Sequence, residues 1–240
     1  MEKGIEIGRM EEIVDKEELC KKELDYLCYH KERIAYNVGV VSEVLESAER
    51  SRPKLLDVGP HIQTSVLSAC VDEDVVINTL GWKNERLVSD SAFNRHFEFD
   101  LNNVRDEALW PEIVTHDVVV MAEVIEHLYT APSIVIDFLK EYVRHGGYLM
   151  IQTPNAVDAK KRLQMLCGQH PYEQLQEDPS NPGHFREYTK AELREYIERA
   201  GLEVEEIQYC DYWPQSGMRR LLELIVPSLR RGITLIARKP

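Results

Sequence analysis

A chain of 240 residues can bury one sizeable α/β domain, and its 43% hydrophobic and 30% charged content excludes a disordered polymer. The net charge of −13 argues against nucleic acid as partner, because a phosphate backbone needs clustered Lys and Arg to release its counterions. The opening Met-Glu-Lys-Gly-Ile-Glu lacks the cationic-then-apolar pattern of a signal peptide, and no apolar run nears the roughly 20 residues that span a bilayer, so a soluble cytoplasmic protein is expected. The five cysteines, Cys20, Cys28, Cys70, Cys167 and Cys210, show no C-x-x-C spacing, which indicates neither a zinc knuckle nor a disulfide framework.

Residues 1–14 read as a loosely docked start. Residues 16–49 carry apolar side chains at three- and four-residue intervals, with a break expected near His30 that divides them into two helices. Arg52-Pro53 ends this segment, since a residue before proline avoids the α region. Strands then alternate with helices. Strands are expected at 54–58, 74–79, 96–100, 116–122, 148–153, 203–210 and 232–237, and helices at 64–70, 133–144, 157–167, 189–200 and 218–225. Gly146-Gly147 is expected to end a helix and open the fifth strand. Thr189 with Glu192 three residues on forms a capping box. The expected architecture is α/β: a Rossmann-like, doubly wound, mainly parallel seven-stranded sheet with an antiparallel last strand, in residues 51–240, behind an N-terminal helical cap at 1–50. Arg219, Arg220, Arg230, Arg231 and Lys239 gather near the C-terminus, where they are expected to form a solvated helix face.

The segment most loaded with chemistry follows the apolar run 117–121. Glu123, Glu126 and His127 stand at i, i+3, i+4, which places them on one face if a helical turn begins there. The carboxyl end of a central strand is where open α/β sheets bind ligands. A second candidate is Asp57-Val58-Gly59, a strand ending in an acid and then a glycine that lets a ligand approach the backbone. The loop from Gly168 to Arg186 is long for a compact domain and suits a lid or a binding element, and Tyr26, Tyr29, His30 and Arg33 are expected to close the site from the other side.

Four segments in order and spacing (Leu55-Leu56-Asp57-Val58-Gly59, Phe97-Glu98-Phe99-Asp100-Leu101, Glu123-Val124-Ile125-Glu126-His127-Leu128, and Gly146-Gly147-Tyr148-Leu149-Met150-Ile151-Gln152-Thr153-Pro154-Asn155) resemble those of class I S-adenosylmethionine-dependent methyltransferases. With Gly183-His184-Phe185-Arg186-Glu187-Tyr188-Thr189, the chain is similar to the branch holding ubiquinone-biosynthesis O-methyltransferases and methyltransferases of polysaccharide and natural-product pathways. The resemblance covers residues 50–240. It implies that Asp57, Gly59 and Pro60 underlie the methionine part of S-adenosylmethionine, that Asp100 bonds the adenine amino group while Leu101 packs on the ring, and that Met121 and Ala122 floor the sulfonium. It also implies a divalent metal, Mg, Mn, Fe or Zn, on Glu123, Glu126, His127 and His184, since metal-dependent relatives carry a similar E-x-x-E-H and a distant His. Without metal, His127 is the candidate general base, with Glu126 and Glu123 beside it. A structural role for these residues, in which they orient the loop, is the third reading.

Two departures stand out. The glycine-rich loop is reduced to Gly59-Pro60-His61-Ile62-Gln63-Thr64, and the acid that normally holds the ribose hydroxyls at the second strand's end is absent, with Asn78 or Thr79 in that region. A bond to a neutral amide is worth roughly 1 kcal/mol against roughly 1.5–3 kcal/mol for a charged group, so weakened cofactor binding is expected. The expected function is methyl transfer from S-adenosylmethionine to an oxygen of a small hydroxylated acceptor of sugar or natural-product type. The alternative is a protein of the same fold whose degenerate loop leaves it a non-catalytic partner or a binder of another ligand. The expected partner is the small-molecule acceptor, with a homodimer left open.

Overall fold

The computed structural model describes residues 21–48, 50–82, 90–178, 182–212 and 217–240. The first 20 residues, expected to hold the loose start and the first turn of the helical segment, lie outside the described residues, as does Cys20. The elements are α1 (Lys21–Ser47), β1 (Lys54–Val58), α2 (Ile62–Cys70), β2 (Val76–Gly81), β3 (Arg95–Glu98), β4 (His116–Ala122), α3 (Pro132–Tyr142), β5 (Val143–Pro154), α4 (Ala159–Leu166), α5 (Lys190–Arg199), β6 (Glu203–Cys210), α6 (Gly217–Ile225) and β7 (Gly232–Arg238), joined in places by short 3-10 turns.

The seven strands form one sheet in the order β3-β2-β1-β4-β5-β7-β6, parallel except for β7, which runs antiparallel to both its neighbours. The Rossmann-like sheet expected from the alternating pattern is therefore present. β1 and β4 are buried on both faces, which explains their unbroken apolar runs. On one face Leu56, Val119 and Met121 pack against Phe138 and Leu139 of α3 and Ile197 of α5. On the other, Leu55, Val118 and Val120 pack against Ile34, Val38 and Val41 of α1 and Val66 of α2.

Three local expectations change. α1 is one continuous helix through His30, whose ring packs on Tyr26 one turn earlier (centroids 4.3 Å apart). β2 runs two residues further than expected, to Gly81, because Gly59 N–H bonds the Leu80 carbonyl and extends the pairing. α3 already ends at Tyr142, and β5 starts at Val143; Gly146 (φ +73°) and Gly147 lie inside the strand, where the register with β4 shifts, rather than in front of it. The capping box of Thr189 and Glu192 forms as expected, the Glu192 carboxylate accepting from the Thr189 backbone at 2.9 Å. The register sets Val58 beside Met121 and Ala122 beside Gln152, so β1, β4 and β5 deliver their carboxyl ends to one edge.

Candidate active site

At that edge β4 ends abruptly. Glu123 takes a left-handed conformation (φ +56°), rare for a residue with a Cβ, and its N–H donates to the Gln152 carbonyl at 2.8 Å. A 3-10 turn over Ile125–His127 follows, so the expected helical face of Glu123, Glu126 and His127 does not form. The two carboxylates separate instead. Glu123 turns to α1, where Arg33 forms an ion pair with it and also donates to the Tyr26 hydroxyl at 2.7 Å. Burial pushes the Glu123 carboxyl up, against the pull of Arg33. Glu126 is fully buried and accepts from Thr153 Oγ1 at 2.9 Å through one oxygen; the other, Oε1, has no hydrogen-bond partner among the described residues. Burial, with the charge of Glu123 nearby, raises its pKa to about 8.

Two imidazoles complete this corner. His127 Nδ1 lies 3.0 Å from the Gly183 carbonyl, which can only accept, so Nδ1 carries the proton and Nε2 keeps its lone pair. His184 Nδ1 lies 3.1 Å from the Glu187 carboxylate, which orients that ring in the same way. The rings meet edge to face at 4.7 Å. The 183–188 segment is seated by the Phe185 and Arg186 N–H groups, both donating to the Glu126 carbonyl at 2.8 and 3.2 Å. Burial and the neighbouring His184 lower the His127 pKa, whereas burial of His184 is outweighed by Glu187 and Glu126, which raise it. One ligand atom each from Glu126, His127 and His184 falls within a mutual 4.8 Å. The expected metal set is thus brought together without Glu123, whose carboxylate Arg33 holds.

Across the edge, Asp57 is buried and accepts from Thr64 Oγ1 at 2.6 Å; Thr64 Oγ1 in turn accepts from the His61 N–H at 3.0 Å. Burial raises Asp57 to about 7. Gly59 (φ +77°) has room for no side chain, since a Cβ there would stand 2.5 Å from Val124 Cγ2. Pro60 packs its ring on Gly81. Asp100 caps the next turn, accepting from the Asn102 backbone at 2.9 Å, and Leu101 enters the core beneath it. Met121 is fully buried in that same core, and Ala122 is half-buried at the strand's end. Asn78 stands apart from this group: it lies mid-strand, engaged with His116 at 2.9 Å and Asn94 at 3.1 Å, and Thr79 bonds His96. The residues that actually end β2 are Leu80 and Gly81.

Between α1, the ends of β4 and β5 and the start of β7 lies a cleft of about 410 Å³, lined by Tyr29, Arg33, Glu123, Gln152, Tyr212 and Glu187 among others. Pro171 and Glu173 of the long loop also line it. Lys161 pairs with Glu187 and, at 3.3 Å, with Asp158 on its wall. The sequence pattern had not singled out Asn37, Gln63, Gln152 or Lys161. Asn37 of α1 donates to Gln63 at 3.0 Å and Gln152 at 3.3 Å, tying the helix to the start of α2 and to β5. A signal was present: Arg33 and Asn37, at i and i+4, interrupt the apolar stripe of Ile34, Val38 and Val41, and both are buried.

Residues 29–207 match a protein family described as a methyltransferase domain. Over 90 residues, 38% of the chain, the sequence is 38% identical to a Mycolicibacterium smegmatis protein named "Probable S-adenosylmethionine-dependent methyltransferase", and the match spans 30% of that protein's length. Among solved structures, a SAM-dependent methyltransferase from Archaeoglobus fulgidus superposes with a TM-score of 0.54 at 16% identity, covering 89% of this chain and 99% of that one. An O-methyltransferase family 2 protein from Planctomyces limnophilus gives 0.54 at 11% identity, covering 91% and 62%. At such identities these two carry the fold alone. The family match spans most of the chain, and the strand order, the glycine turn after β1 and the acid after β3 agree with it: the chain belongs to the methyltransferase-domain family, of the class I S-adenosylmethionine-dependent type.

Proposed function

We propose that the protein transfers a methyl group from S-adenosylmethionine to an oxygen of a small hydroxylated acceptor bound in the cleft. The observation that carries this reading is the convergence, at one sheet edge, of a glycine turn too close to Val124 for any Cβ, a buried acid below it, and a polar cleft lined by Glu123 and Gln152 among others. When bound, S-adenosylmethionine supplies an electrophilic methyl group on a sulfonium. Asp57 and the Gly59 backbone would face its methionine part, and Asp100 and Leu101 its adenine. The chain's own contribution is alignment and exclusion of water, with α1 and the 168–186 loop as the two walls.

An oxygen nucleophile must lose a proton. Glu126, His127 and His184 fit a divalent cation, because Glu126 Oε1 is buried without a hydrogen-bond partner among the described residues and both imidazoles have one nitrogen fixed by a hydrogen bond. Two imidazoles and one carboxylate suit Mn, Fe or Zn better than Mg. A cation held there would supply Lewis acidity and lower the pKa of an acceptor hydroxyl. The second reading, favoured by the Gly183 bond that leaves Nε2 of His127 unprotonated, is a metal-free general base.

The test is transfer of labelled methyl from S-adenosylmethionine to a panel of sugars, phenols and other small hydroxylated compounds, with chelator or with Mn²⁺, Zn²⁺ or Mg²⁺. Label recovered as an O-methyl group on the acceptor, with S-adenosylhomocysteine released and the rate reduced at least about 100-fold in His127→Ala, is the expected result. Label on nitrogen or carbon, or on no acceptor while S-adenosylmethionine is bound, contradicts the reading.

A further inference from the structure

The glycine-poor segment from Gly59 to Thr64 places two side chains where they meet α1. His61, which precedes α2, lies edge-on to the ring of Tyr26 with the centroids 4.3 Å apart. Gln63, in the first turn of α2, accepts from Asn37 Nδ2 at 3.0 Å. Neither contact is open to glycine, which has no ring and no amide to offer. Tyr26 and Asn37 stand about three turns apart on α1, so the helix is held at two separate points.

Each contact continues to the cleft. The Tyr26 hydroxyl accepts from Arg33 at 2.7 Å, and Arg33 pairs with Glu123. Asn37 also donates to Gln152 at 3.3 Å. Glu123 and Gln152 both line the cleft, and the Glu123 N–H joins the two paths by donating to the Gln152 carbonyl at 2.8 Å. Arg33, Asn37 and Gln152 are all buried, so shifting α1 would strip partners from groups that water does not reach. One helix therefore touches both the turn after β1 and the ends of β4 and β5.

We propose that His61 and Gln63 are positioning residues that latch α1 to the turn after β1, so that occupancy of this turn by S-adenosylmethionine stabilises the closed form of the acceptor cleft. This rests on the proposed reaction, which puts the cofactor at that turn. The coupling is reciprocal: whatever the docked helix adds to cofactor affinity, the cofactor adds to docking of the helix. Side chains standing in place of glycines thus hold the site together, where a degenerate loop would only obstruct the ligand.

The test is amide hydrogen exchange of the full chain, free and with S-adenosylhomocysteine, beside calorimetric titration of the same compound. In free His61→Gly/Gln63→Gly, residues 26–37 should exchange at least about tenfold faster than in the unaltered chain, with β4 unchanged. S-adenosylhomocysteine should slow exchange of 26–37 in the unaltered chain, and should bind the variant at least about fivefold more weakly. Tyr26→Leu breaks the latch from the helix side without altering the turn, and the same two effects are expected. Circular dichroism with a thermal melt verifies that both variants fold. Equal exchange of 26–37 in all three proteins, no slowing of that segment by bound S-adenosylhomocysteine, or tighter binding once the glycines are restored would each overturn the proposal. Failure of the unaltered chain to bind S-adenosylhomocysteine would overturn the cofactor reading and the coupling with it, while exchange in the free protein still decides the latch.

Discussion

Arg33 of the first helix closes an ion pair on Glu123 at the end of β4, joining the helix that covers the sheet to the one non-glycine residue in a left-handed conformation among those described. Arg33 is 6% exposed and Glu123 22%. Removing one partner leaves a largely desolvated charge alone. Arg33→Met is expected to cost about 3–5 kcal/mol in urea denaturation, and Arg33→Met combined with Glu123→Gln to recover more than half of it. A double-mutant cycle with no coupling would mean that the pair does not hold α1 to the sheet.

Gly59 has two independent reasons to be glycine. Its φ of +77° costs a residue with a Cβ roughly 1–2 kcal/mol, and that Cβ would meet Val124 Cγ2. Gly59→Ala is expected to lower stability by about 2–3 kcal/mol and to abolish detectable S-adenosylmethionine binding. Adding Val124→Ala should return part of the stability, because it removes the clash and leaves the backbone strain. Chemical denaturation of the three variants measures both parts.

Asp57 provides a pH signature. Its folded pKa of about 7 exceeds its ordinary value of 3.8, owing to burial, which the Thr64 hydrogen bond offsets only in part. The folded state therefore binds more protons than the unfolded state between about pH 4 and pH 7, and this group's contribution to stability falls as pH rises through that window. Asp57→Asn, which can still accept from Thr64, should flatten the decline, by up to about 4 kcal/mol between the two ends. Urea midpoints at pH 5 and pH 8 give the comparison; an identical slope in both proteins contradicts the assignment.

A metal at the Glu126 corner should raise the melting temperature. At a free concentration a hundredfold above its dissociation constant, Mn²⁺ or Zn²⁺ is expected to add about 2.7 kcal/mol, or roughly 5–10 °C for a chain of this size. Glu126→Gln and His184→Ala should each remove the shift, while Glu123→Gln should retain it, because Arg33 occupies that carboxylate. A shift that survives loss of Glu126 or His184 places the ion elsewhere.

How much of this was legible in the sequence follows the range of the interactions. The sheet could be read because β1 and β4 are buried on both faces and so spell unbroken apolar runs, and the Thr189–Glu192 cap because its partners lie three residues apart. The Glu126, His127 and His184 cluster was reached through resemblance, and the fold brings it together across more than 50 residues. What local spacing could not supply was Glu123. An i, i+3, i+4 pattern assumes a helix, and the left-handed turn after β4, set by the bond to Gln152 and the pull of Arg33, sends that carboxylate the other way. Asn78 was misplaced for a related reason: the end of β2 is set by pairing with β1 and the Gly59 turn, which add Leu80 and Gly81 to the strand. Asn37 was visible only as a polar interruption of an apolar stripe, and its partner Gln152 lies 115 residues away.

Calorimetric titration of the purified chain with S-adenosylmethionine and S-adenosylhomocysteine, with and without Mn²⁺, is the measurement to make first. Micromolar binding that weakens at least tenfold in Asp100→Ala and is lost in Gly59→Ala is the predicted outcome. Failure of the folded protein to bind either compound up to millimolar concentration would mean that the altered loop from Gly59 to Thr64 has given up the cofactor and that the fold serves another ligand.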